Sequence, residues 1–388
     1  MAHDTTALRR YSPSHARESA RDGAEASRPA ARLDVKLFGA GNSGEAVALR
    51  CQALGFNDGV FFPAAGLNND RLPPRAIAVR RPDGGVAPLD LAERLVMDDE
   101  NPRELIREVP LLERRYARLL RGISVFETYP RAGDGGHGHP AISTLDIDLN
   151  IDAVLGLLRR ALRDPNDDAS QLAGRSGLQQ VVLQRQRQQA PARDRRIVII
   201  GGGCGAMGNA AHHLLPYLVR WLLAEQGIAS YQLWGVVLGP RAFTGLTPFV
   251  RHNYRALLDA IEHMAQHGQR RTYLNDLTID IQRPPYDRVF LLDDPTLPGE
   301  GARVTEAEME AFLDRAALSL YLLLRGDVWQ TVASRTANDD GVLRADGRLR
   351  YLHTVHGVAI GADRARLADA LTVGLSARVL DQFIQRFS

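Results

Sequence analysis

One stretch limits the possible folds more than any other. Arg196-Ile197-Val198-Ile199-Ile200 runs directly into Gly201-Gly202-Gly203-Cys204-Gly205-Ala206-Met207-Gly208-Asn209. An apolar run without polar alternation reads as a strand buried on both faces. Five glycines then fall within eight residues, and a helix is expected from Ala210 to Glu225. The same order occurs earlier in the chain. Leu33–Phe38 reads as a strand, Gly39–Gly44 as a glycine turn, and Glu45–Leu54 as a helix. Strands covered on both faces require helices in two layers. The class is therefore α/β, a Rossmann-like parallel sheet flanked by helices.

Further strands are expected at Gly59–Phe62, Ala76–Arg80, Gly122–Phe126, Tyr231–Leu238, Asp287–Leu292 and Leu352–Ile360, with a loop over Pro63–Pro74. The charged, leucine-rich stretch Asp90–Arg121 reads as largely helical. Asp146–Arg163 reads as one amphipathic helix, with Ile147, Ile151, Val154, Leu155, Leu158 and Leu162 on one face. Further helices are expected at Thr247–His267, Thr305–Arg325 and Asp363–Phe387. Residues 1–31 have the composition of a disordered, Arg-rich tail. Residues 164–195 form a polar, glutamine-rich insertion within a nucleotide-binding domain spanning 32–303. Residues 304–388 supply a central helix and a short or incomplete C-terminal domain.

The 388 residues are 45% hydrophobic, enough for a sizeable core. A net charge of +2 gives no field demanding nucleic acid. No apolar run reaches the roughly 18 residues of a membrane span. Cys51 and Cys204 are the two cysteines, too few for a disulfide framework, so a cytoplasmic setting is expected. The most restrictive count concerns the basic residues. Lys36 is the only lysine; the other 47 of the 48 basic residues are arginines. A P-loop needs a lysine on the phosphates, and Lys36 lies ahead of the first glycine turn. A nucleotide here would be held without one.

Glycine turns after strands allow phosphate oxygens to approach backbone N–H groups, and the following helix offers the positive end of its dipole. The candidate site is therefore Gly39, Gly41, Asn42 and Ser43 with Gly201, Gly202, Gly203, Cys204 and Gly205. A third glycine-dense loop, from Arg131 to Pro140, adds Gly133, Asp134, Gly135 and Gly136, with Asp134 able to hold a hydrated Mg²⁺. His137 and His139 form an H-x-H pair without a third ligand at a recognisable spacing, and read as loop residues rather than metal ligands. His212 and His213 point to different faces of a helix. A helix N-terminus can depress a thiol pKa, but Cys204 reads as a small space-filler rather than a nucleophile.

The order of these segments resembles the tubulin and FtsZ superfamily. VKLFGAGNSGEAVALRCQALG is similar to its first strand, first phosphate loop and first helix. RAGDGGHGHPAIS is similar to its third loop, and IVIIGGGCGAMGN to the signature G-G-G-T-G-[ST]-G. FVRHNYRALLDAIEHM, YDRVFLLDD, GDVWQTVA and YLHTVHGVAIG follow in the family's order, and the flavour is that of the divergent bacterial tubulin-like group. The resemblance implies GTP or GDP, with Mg²⁺, as ligand, and head-to-tail self-association. It places Asn253 near the ribose or base and Asp327 at the acidic position that serves hydrolysis. Cys204 and Ala206 stand where the signature has hydroxyl residues, Met207 stands where glycine is usual, and Leu324 stands where a second acid is expected. The lost hydroxyls imply reduced nucleotide affinity, and the missing acid implies slow or absent GTP hydrolysis.

Two other readings remain. One is a scaffold with a degenerate pocket. The other is an NAD(P)-dependent enzyme, because Gly39-Ala40-Gly41-Asn42-Ser43-Gly44 fits G-x-G-x-x-G. A strand ending at Phe61-Phe62-Pro63, however, would offer no acid to a ribose.

Overall fold

The computed structural model describes residues 33–57, 60, 62–80, 85–91, 93–98, 116, 135–163, 194–245, 249–294, 296–297, 302–325 and 352–355. Its centre is a seven-stranded, wholly parallel sheet. The strands are β1 (Leu33–Ala40), β2 (Ala64–Asn68), β5 (Glu93–Val96), β6 (Asp194–Gly202), β7 (Gln232–Leu238), β10 (Arg288–Leu292) and β11 (Leu352–Val355). Their order is β11-β10-β7-β6-β1-β2-β5. The chain starts in the middle, builds outward through β2 and β5, then returns to the other side of β1 with β6. This is the doubly wound arrangement, with its switch point between β1 and β6.

The uninterrupted apolar run in β6 now has its reason. Ile197 and Ile199 join a core on one side of the sheet with α3 (Ile151–Leu162), α4 (Ala206–Glu225) and α5 (Val250–His267). Val198 and Ile200 join the opposite core with α1 (Gly41–Asn57) and α6 (Glu306–Arg325). Successive side chains of a strand point to opposite faces, so a strand between two helical layers needs apolar residues at every position.

Several boundaries differ from the sequence reading. The second strand is Ala64–Asn68, inside the expected loop. All five of its residues are buried, and they are mostly small. A Cβ on Gly66 would lie 2.4 Å from Glu45 Oε1, so the position excludes the β-branched residues that announce a strand. Phe62 instead packs from the preceding segment against Tyr321, with ring centroids 6.0 Å apart. Glu93–Val96 is an edge strand and not helix.

The expected helix 146–163 is two helices, α2 (Pro140–Leu149) and α3. Asn150 leaves helical geometry at φ −101° and ψ 23°, and its side-chain amide donates to the Asp146 carbonyl at 3.0 Å. The apolar stripe continues across this break, and all six of its residues are buried, which is why periodicity alone does not reveal it. Two antiparallel hairpins lie outside the main sheet: β3 (Ile77–Arg80) with β4 (Val86–Leu89), and β8 (Gln269–Thr272) with β9 (Thr278–Ile281). The expected tail, the strand at 122–126, residues 164–193 of the insertion and the last helix lie outside the described residues.

Glycine brings helix backbone onto strand backbone at the switch point. A Cβ on Gly208 in α4 would lie 2.4 Å from Gly202 N and 2.6 Å from Gly202 O. On Gly44 in α1 it would lie 2.4 Å from Ile200 O. Neither neighbour is a side chain that can rotate away. Gly208→Ala should therefore destabilise the fold by about 1–3 kcal/mol, the usual range for overpacking. A thermal melt should show a clear fall in Tm, and an unchanged melt would contradict this packing.

Candidate functional site

The carboxyl ends of β1 and β6 are neighbours in the sheet, and ligands of doubly wound sheets bind at such a switch point. A cleft of about 780 Å³ opens there. Its floor is Gly41, Asn42 and Ser43 of α1, with Gly202 and Gly205–Gly208 at the start of α4. Gly135–Gly138 form one wall, and Asn68–Asp70 with Leu72–Arg75 another. Phe243 and the first turns of α6, with Glu306, Met309, Glu310 and Leu313, complete it.

Two helix N-termini thus open on one cavity. Neither α1 nor α4 has an acidic residue in its first turn. Gly205, the N-cap of α4, supplies no side-chain cap. The first N–H groups of α4 thus have no N-cap side chain as acceptor, an arrangement that suits an anion. Gly41 has a φ of +69°, which favours glycine. A Cβ on Gly205 would meet nothing within 4 Å, so there the backbone faces open space.

The expected site residues divide into three groups. Gly41, Asn42, Ser43, Gly135, Gly136, Gly202 and Gly205 line the cleft. Gly39, Gly201, Gly203, Cys204 and Asn253 are not among the lining residues. Gly39 packs against Gly44 and Glu45, Gly201 against Gly208, and Gly203 against Tyr254 and Val237. Cys204 is fully buried, and burial, aided by Asp293, pushes its thiol pKa up. This is opposite to the depression a helix N-terminus can cause, and it fits the space-filling role.

Asn253 works as a clamp. Its amide nitrogen donates to Gly138 O at 2.7 Å and to Cys204 O at 3.0 Å. Gly133, Asp134 and Asp327 lie outside the described residues. His137 lines the cleft, whereas His139 stacks on Phe249, with centroids 5.2 Å apart. No group of three metal-ligating side chains occurs among the described residues.

Several lining residues escaped the sequence reading. Misplacing the second strand concealed Asn68, Asn69 and Asp70, which follow its true carboxyl end. Asn68 donates to Asn42 Oδ1 at 2.6 Å and to Glu45 Oε2 at 3.0 Å. Asn42 in turn donates to Asp70 Oδ2 at 2.7 Å. Asn69 reaches across to Asp146 at 2.6 Å and Ser143 at 3.0 Å in α2. Among the described lining residues, Arg75 carries the one guanidinium.

Beneath this chain of amides, Glu45 is wholly buried and paired with Arg94 through two contacts of 3.0 and 3.2 Å. Burial raises the Glu45 pKa, while Arg94 and Asn68 counteract that rise. Arg94 also donates to Asp70 O and Leu72 O, so one ion pair supports the Asn68–Leu72 wall.

No family model and no curated protein matches the sequence. Solved structures do match. Among them are structures of TubZ. The helical model of the TubZ-Bt two-stranded filament aligns over 76% of this chain and 55% of that one, at a TM-score of 0.38 and 14% identity. The GTPγS-form protofilament of Bacillus thuringiensis serovar israelensis TubZ aligns over 76% and 57%, at 0.37 and 14%. Its GDP-form counterpart aligns over 76% and 55%, at 0.34 and 13%. The chain thus spans little more than half the length of the TubZ structures it matches. No described helix is long and apolar enough to cross a membrane.

Breaking the Glu45–Arg94 pair tests how the cleft is supported. Arg94→Leu leaves a buried carboxylate without its partner, which costs about 3–5 kcal/mol. Because burial holds the Glu45 pKa above its unfolded value, protonation relieves this penalty. The loss should be largest at neutral pH and shrink as pH falls towards the unfolded value of 4.5. Adding Glu45→Gln should restore much of the stability at pH 7. Denaturant titrations of the single and double variants would show both effects, and a pH-independent loss would contradict the account.

Proposed function

We propose that the chain binds a guanine nucleotide in the switch-point cleft. The observation that carries this reading is the convergence of two helix N-termini, each beside a glycine turn and without an acidic residue in its first turn, on one cavity. The phosphates would lie between Gly41–Ser43 and Gly205–Gly208, held by backbone N–H groups and the Ser43 hydroxyl, with Arg75 as countercharge. No lysine is needed where two helix dipoles point at the same phosphates.

Asp70 fits a Mg²⁺ brought by those phosphates. Each of its carboxylate oxygens accepts one hydrogen bond, from Leu72 N at 2.9 Å and from Asn42 at 2.7 Å, and keeps a further lone pair. Mg²⁺ is commonly held by one or two carboxylates together with phosphates and water, and it would offset phosphate charge here. The base would lie towards Phe243, Met309 and Leu313. There the Glu306 and Glu310 carboxylates can accept from the two adjacent N–H donors of guanine, a pair that adenine lacks. Head-to-tail self-association is supported by the sequence resemblance to tubulin and FtsZ. Slow or absent hydrolysis is the reading supported by Leu324, which stands where the resemblance leads one to expect a second acid.

One observation favours a second reading, a dinucleotide. With the strand ending at Asn68, an acid does follow it: Asp70, where a Rossmann site holds a ribose hydroxyl. The second glycine loop, with Gly202 and Gly205 lining the cleft, and the opening of α4 onto the same cleft favour a compact di- or triphosphate.

The two readings separate by titration calorimetry with GDP, ADP and NAD⁺. GDP should bind best. Gly202→Leu should weaken it by about 100-fold, or ~3 kcal/mol, because its Cβ begins 3.1 Å from Ser43 Oγ and 3.2 Å from the Phe243 ring. Tighter binding of NAD⁺ than of GDP would replace the first reading by the second. Unchanged GDP binding in Gly202→Leu would remove the site assignment.

A further inference from the structure

A second cavity, of about 290 Å³, lies between α2, α4, α5 and β8. Pro140, Ala141, Thr144, Asn209, His213, Leu214, Asn253, Ala256, Gln269 and Arg271 line it. It differs from a packing defect in its chemistry, since six of its ten lining residues carry polar side chains. Gln269 and Arg271 lie two apart on β8, so they share a face of the hairpin. Gln269 Oε1 and Arg271 Nε are both buried without a hydrogen-bond partner. Buried polar atoms are rarely left so, because an unmade hydrogen bond there costs about 1–3 kcal/mol.

Both side chains are held in place by their other atoms. The Gln269 amide nitrogen donates to His213 O at 3.3 Å. A flipped amide would instead set oxygen against oxygen, so the free atom is the acceptor. Arg271 Nη2 is fixed on Asp148 at 3.0 Å, and Asp148 is itself held by Tyr116 and by Leu274 N. What remains is a fixed donor and a fixed acceptor, beside the N-terminus of α2. His139, the N-cap of that helix, makes no side-chain cap. Burial and the neighbouring Arg271 lower the His213 pKa to about 4, so it adds no positive charge at neutral pH.

We infer that this cavity is a second ligand site, for a small carboxylate that also carries a hydroxyl or ammonium donor. The carboxylate would accept from Arg271 Nε at the positive end of α2, and the donor would satisfy Gln269 Oε1. The volume lies at the lower end for ligand pockets and suits a small molecule.

The cavity shares a wall with the loops of the main cleft. Asn253 donates to Gly138 O and Cys204 O, and Asn209 donates to Gly203 O at 2.9 Å and to Asn253 O at 3.0 Å. Both asparagines also line the second cavity. A ligand there would press on the two residues that clamp the glycine loops, so occupancy would alter affinity in the cleft, and the reverse. This coupling rests on the proposed nucleotide reading, whereas the existence of the site does not.

The test is calorimetry with L-malate and L-glutamate on the whole chain, with and without GDP. At least one of the two should bind with a stoichiometry near one. Gln269→Leu should weaken it about tenfold, the equivalent of one hydrogen bond. Ala256→Trp changes an exposed position and should block the cavity without disturbing the fold. GDP affinity should shift when the carboxylate is saturating, and that shift should vanish in Ala256→Trp. Absence of saturable binding by both probes overturns the site, as does a crystal soak showing only ordered water on Gln269 and Arg271. Carboxylate binding without any GDP binding would uphold the site and remove the nucleotide reading. Independent binding of both ligands would overturn the coupling.

Discussion

The backbone contact between α4 and the end of β6 sets the geometry on which the site depends. Gly208 lies so close to Gly202 that no side chain fits between them, and Gly44 makes the same approach to Ile200 from α1. These contacts draw two helix N-termini to the edge of two adjacent strands. In the proposed nucleotide site, their dipoles and N–H groups would do the work that a lysine does in a P-loop. In a chain with Lys36 as its only lysine, electrostatics at the cleft floor are a property of backbone packing.

Most of the glycines at the second loop therefore serve packing before they serve a ligand. Gly201, Gly203 and Gly208 are filled in by their neighbours, and only Gly205 faces open space. The walls follow a different logic. They depend on amides linked in series, from Asp70 through Asn42 and Asn68 to the buried Glu45–Arg94 pair. Such a network is costly when incomplete, which ties the shape of the cleft to the integrity of one ion pair. The Asn209–Asn253 clamp extends the same principle to the far side of the glycine loops.

The sequence makes the central strand legible because burial on both faces leaves an unmistakable run at Ile197–Ile200. The two glycine turns are legible for the same reason, since each follows such a strand. Where packing demands small residues, that signal fails. Ala64-Ala65-Gly66-Leu67-Asn68 is a fully buried strand with little β propensity, and overlooking it also conceals Asp70. The break at Asn150 is invisible because the apolar stripe does not change phase. The β8–β9 hairpin is hard to read because β8, Gln269-Arg270-Arg271-Thr272, is wholly polar and offers no apolar alternation. The resemblance to tubulin and FtsZ points to the glycine loops that meet at the cleft, and to Asn253 near the ribose or base; in the structure the Asn253 amide donates to two loop carbonyls.

The most direct test of the central claim is chromatography of whatever nucleotide is released when freshly purified protein is denatured. The account predicts GDP or GTP in near-stoichiometric amount. A protein that releases NAD(H), or that is empty and takes up no GDP on incubation, would contradict it.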